Sequence, residues 1–164
     1  ILGPDGTWKK SIGTFGHGNG EFDTPRGVAV DISGNIYVAD TANARVQKFS
    51  AGGTFLGWWG ADTADGDGWH GTDTSISAKP DQGPCRFLGP SDIAVDSEGS
   101  IFVIDGAAGV MQKFSPEHAS EEYAGYLVRV DLGPDLRGIA VDEAGILYLT
   151  ASDQMIRSMT PSLQ

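Results

Sequence analysis

The chain has 164 residues, 24 of them glycine, with 20% charged residues and a net charge of -11. Glycine is about twice its usual share but has no three-residue period, and 40% hydrophobic residues exceed what an acidic disordered tail carries, so collagen-like and disordered classes are excluded. The lone Cys85 rules out an internal disulfide framework, and the longest aliphatic runs, such as Ile101–Ile104, fall far short of a membrane span.

In chain order, the first segment, Asp5–Gly13, aligns with a later one, Gly52–Gly60. The unit beginning at Phe22 contains a short β-rich run, Gly27–Val30, then Asp31 and Gly34 in an Asp-x-x-Gly turn. The return strand starts at Asn35, Ala44–Phe49 alternates apolar and polar residues, and Gly53–Gly60 supplies a fourth strand. The pattern recurs from Phe87, with Asp96 and Gly99 at the turn, and from Asp135, with Asp142 and Gly145. In each unit the glycine follows the aspartate by the same interval, and no stretch has a helical period. The expectation is an all-β chain of four-stranded antiparallel units.

Pro25–Asp31, Gly34–Asp40 and Asn43–Phe49 together resemble the NHL repeat, whose members form β-propeller blades, most often six around a channel. The resemblance divides the chain into an outer strand at 1–13 of a blade completed elsewhere, a blade at 22–60, an Asp/Gly-rich insert at 61–86, a blade at 87–131 and three strands of a blade at 132–160. The second unit carries Val110 where the family has arginine, and the third has Ala151 where it has aspartate. About three blades amount to half of a six-bladed propeller. The expected partners are a second copy, each first strand completing the other's last blade, or the remainder of a longer NHL chain; a lone half-ring leaves strand edges and a blade face uncovered.

Asp40 and Arg45 read as a structural pair joining the second and third strands of the first blade. In propellers of this type the residue after the first-strand proline points to the channel; here Arg26 and Ser91 hold that position, with Arg137 at the equivalent position beside Gly138. Two arginines there suit a carboxylate or phosphate, and the plainer alternative is neutralisation of Asp23, Asp92 or Asp135. A peptide-amidating lyase of NHL-like fold carries zinc-binding histidines at this position, which this sequence lacks. His17, His70 and His118 lie singly in glycine- or acid-rich stretches and read as exposed loop residues. In the insert, Asp62, Asp65, Asp67 and Asp73 are the candidate Ca²⁺ ligands, against a solvated acidic loop without the full EF-hand spacing. Trp58, Trp59 and Trp69 are candidate interface anchors, with packing between blades the alternative, above all for Trp59.

Three functions compete: a non-enzymatic module for protein interaction or self-assembly, a channel-site lyase or lactone hydrolase, and an RNA-binding module. The acidity opposes nucleic acid. The first reading is preferred, and the low lysine content and acidic composition suit an extracellular or periplasmic protein.

Overall fold

A computed structural model describes residues 1, 3–62, 66–71, 83–115, 125–153 and 155–160. Short strands β1 (Thr14–Phe15) and β2 (Glu21–Phe22) pair in parallel. The first large sheet has the order β3 (Pro25–Val30), β4 (Ile36–Asp40), β5 (Arg45–Phe49), β6 (Phe55–Asp62), β7 (Gly66–His70). The second contains β8 (Pro90–Val95), β9 (Ile101–Asp105), β10 (Val110–Phe114) and β11 (Tyr126–Asp131), again neighbour to neighbour. The third has β12 (Leu136–Val141), β13 (Leu147–Ala151) and β14 (Ile156–Met159). All pairings in these three sheets are antiparallel. Among the described residues there is no helix, and none long and apolar enough to cross a membrane.

The repeated Asp-x-x-Gly turns are built from the same bonds three times. The Asp Oδ1 accepts the backbone N–H four residues on: Asn35 at 2.8 Å, Ser100 at 2.7 Å and Ile146 at 2.9 Å. The glycines take φ of 81°, 85° and 78°, a left-handed conformation that strains other L residues. Tyr37 and Tyr148 also donate their hydroxyls to Asp31 and Asp142. Despite the opposing effect of partial burial, the bonds from Asn35 and Tyr37 hold the Asp31 carboxyl below its ordinary pKa; the Ile146 N–H leads the same effect at Asp142.

The sheets stack face to face through their first strands, β8 lying between β3 and β12. Tyr37, Val46 and Trp59 of the first sheet meet Ile93, Ile101, Val103 and Phe114 of the second in one core. Ala94, Phe102, Ile104 and Met111 of the second meet Leu136, Ile139, Leu147 and Leu149 of the third in another. The period-two alternation of the strands sends one set of side chains to each neighbour. Asp92 sits at the centre: its Oδ2 accepts the Ile139 N–H at 2.9 Å, and a Cβ on Gly27 would come within 2.6 Å of its Cα.

Two features differ from the sequence expectation. Part of the insert becomes strand: β7 adds a fifth strand to the first sheet, pairing Trp58 with His70 and Trp59 with Trp69. His70 is therefore a buried strand residue stacked on Trp58 at 4.0 Å, not an exposed loop histidine. Trp58 and Trp59 are fully buried and Trp69 packs edge-on against Trp59, which removes the first two as surface anchors. At the N-terminus the Ile1 amine donates to Lys10 O and the Lys9 N–H to Ile1 O.

Candidate functional site

The starts of the three first strands share an irregularity. The β3–β4 register shifts between Pro25 and Gly27, β8–β9 between Pro90 and Asp92, and β12–β13 between Leu136 and Gly138. The residues left without a cross-strand partner are Arg26, Ser91 and Arg137. A bulge takes a residue out of the ladder and re-aims its side chain. Here all three line one cavity of about 420 Å³, together with Thr41, Leu88, Ala107, Leu136 and Asp135.

Thr41 Oγ1 donates to Pro90 O at 2.7 Å and ties the first two sheets together beside the cavity. Ser91 Oγ makes one long contact, 3.4 Å to Ile104 O. Arg26 and Arg137 are exposed. Among the described residues neither forms an ion pair. Two residues preceding these bulges, Thr24 at φ 52° and Asp135 at φ 68°, occupy the left-handed region without being glycine.

Asp40 and Arg45 do not line this cavity; they sit on β4 and β5, inner strands of the first sheet. Arg45 Nε donates to Asp40 Oδ2 at 2.8 Å, both side chains being 0% exposed. Asn43 and Gln47 donate to the same oxygen, while Asp23 N–H donates to Oδ1. Arg45 Nη2 reaches Gly18 O and Glu21 O at 2.9 and 2.8 Å, so the pair holds the lead-in segment as well as joining β4 to β5. Burial pulls the guanidinium below its ordinary pKa, opposed by Asp40 and Glu21. The Arg45 guanidinium also lies 5.9 Å from the Trp58 ring centroid.

The calcium candidates are described only in part. Asp62 closes β6 and Asp67 lies on β7, whereas Asp65 and Asp73, and the side chains of all four, lie outside the described residues. Among the described residues no three His, Cys, Asp or Glu side chains converge as a metal site. His17 is exposed and bonds Asn43 Oδ1 through Nδ1 at 2.6 Å; His118 lies outside the described residues. Sequence reasoning named the three cavity residues by position but not the bulges that turn them inward. Leu88 and Ala107, which also line the cavity, carry no signal in the sequence.

Antiparallel sheets stacked through their first strands around a shared axis define a β-propeller. Residues 22–49 match the NHL repeat family, so the chain carries an NHL repeat and takes the propeller fold. Among solved structures it is similar to a protein described as a candidate gluconolactonase, at 18% identity and TM-score 0.62, covering 99% of this chain and 52% of that one. A protein from Bacteroides fragilis described as a candidate exported protein is 15% identical with TM-score 0.59, over 87% of this chain and 36% of that one. A chain of the nidogen/laminin complex is 20% identical with TM-score 0.54, over 83% and 44%. The chain thus spans about half or less of the length of the structures it matches. No curated protein matches the sequence.

Proposed function

We propose that this chain is a non-enzymatic propeller module that works by self-assembly, two copies joining head to tail into a six-bladed ring. One observation carries the reading. Ile93, Ile101 and Val103 of the second blade, and Ile139, Leu147 and Leu149 of the third, are buried against the blade before them. The equivalent residues of the first blade, Val28, Ile36 and Val38, have no blade before them: Val28 is 65% exposed, and with Ile1 and Ile12 the three line an apolar groove of about 250 Å³.

The opposite end offers the matching surface. Tyr148 of the third blade stands where Tyr37 and Phe102 stand in the first two, and those rings pack against the next blade. Tyr148 itself is 39% exposed. A heterologous contact between Tyr148 of one copy and Val28 of the next closes into a ring when made twice. Among the described residues the third sheet has three strands with β14 at its edge, which the partner's first residues would extend.

Charge and likeness agree with this reading in part. A net charge of -11 disfavours RNA, and the likeness to a gluconolactonase-named structure extends to fold alone. Likeness to a candidate exported protein supports placing the module outside the cytoplasm. The test is sedimentation of the Val28→Asp variant beside the unaltered chain. A charge at this exposed position leaves the blade folded and abolishes association; unchanged association overturns the head-to-tail contact.

A further inference from the structure

We infer that the cavity at the starts of the first strands is a binding site for a small organic carboxylate, gripped by Arg26 and Arg137 with Ser91 between them. Several independent observations converge. Each of the three first strands breaks its register at this one position, and the three displaced residues line the same cavity. A bulge repeated in successive blades delivers side chains of the first strands to the axis, where a regular ladder would keep them in the sheet. In both arginine-bearing blades a non-glycine residue takes a left-handed conformation just ahead of the bulge, Thr24 in one and Asp135 in the other. Such strain is held in place by its surroundings and clusters where a side chain is positioned for a task.

The chemistry of the lining selects the ligand. Arg26 and Arg137 form no ion pair among the described residues, so their planar donor forks are free to take a carboxylate in bidentate fashion. Ser91 adds a hydroxyl whose one internal contact is long. Leu88, Ala107 and Leu136 add apolar side chains to an otherwise polar lining, which gives a carbon skeleton contacts that a bare inorganic anion does not make. At about 420 Å³ the cavity has the size of small-molecule sites. Two carboxylates are close by. Asp92 is engaged by the Ile139 N–H and packed over Gly27, whereas Asp135 stands at the rim and opposes an anion.

All of these residues belong to one chain, so the site does not depend on ring closure. Binding in the Val28→Asp variant separates the failure of one proposal from the failure of the other.

The experiment is calorimetric titration of the full chain with citrate, and separately with inorganic phosphate. Citrate binds more tightly than phosphate. Arg26→Gln and Arg137→Gln each weaken citrate binding about tenfold or more, because each removes a charge-assisted contact. Both arginines are exposed and without internal partners, so thermal stability stays unchanged and the loss is read as binding. Asp135→Asn tightens binding, and Lys9→Gln, distant from the cavity, leaves it alone. Absence of citrate binding, equal affinity for phosphate, or citrate binding indifferent to the double arginine variant each overturn the inference.

Discussion

The first and second blades solve one problem with different parts. In both, a glutamine on the third strand pins the segment leading into the blade. Gln47 accepts from Gly20 N–H and donates to Glu21 O; Gln112 accepts from Cys85 N–H and donates to Arg86 O. In both, the second strand ends on a buried aspartate. Asp40 is met mainly by side chains, Asn43, Arg45 and Gln47. Asp105 is met by backbone instead, the N–H groups of Leu88, Gly89 and Ala108 at 2.6, 3.1 and 3.0 Å, and Val110 occupies the arginine position. A buried carboxylate needs donors, but the donors need not carry charge.

That contrast makes unequal predictions for matched substitutions. Asp40→Asn strands the Arg45 guanidinium in a fully buried site and destabilises the chain by about 3–5 kcal/mol in denaturant unfolding. Asp105→Asn leaves no orphaned cation. Its loss is confined to backbone donors now facing an amide, about 1–3 kcal/mol. Equal losses would mean that the ion pair adds nothing beyond its hydrogen bonds.

The joints between blades sharpen the comparison at smaller scale. Gly27→Ala drives a Cβ to 2.6 Å from the Asp92 backbone, which cannot yield without shifting the second blade; the expected loss is about 1–3 kcal/mol. Gly138→Ala meets the rotatable Thr150 Oγ1 at 2.9 Å and loses less. Thermal unfolding of the two variants ranks the two joints.

Acid has the mildest effect and divides the blades differently. Asp31 and Asp142 are held below the ordinary carboxylate pKa in the folded chain. Their contribution is present above the unfolded value near 4 and is lost as pH falls through the lower folded values. Melting temperature should therefore decline on acidification below about pH 4, and Tyr148→Phe, which removes one bond to Asp142, should reduce that decline.

The propeller blades were legible because their turn chemistry is local: Asp31, Asp96 and Asp142 with Gly34, Gly99 and Gly145 specify each hairpin by themselves. Strand β7 was not legible. Gly66–His70 has a glycine-rich, unalternating sequence and becomes a strand by pairing with β6, a tertiary effect. The burial of Trp58 was hidden for the same reason, since His70 covers it from the added strand. At the cavity, the positions of Arg26, Ser91 and Arg137 were readable from the repeat alignment. Their convergence required the three register shifts, which no residue type announces.

The central claim is that the uncovered face of the first blade belongs against the last blade of a second copy. Light scattering across a concentration series reads it directly. The account predicts a mass of twice the 17.2 kDa of one chain, falling toward the single-chain value for Val28→Asp. A mass of one chain at every concentration contradicts it.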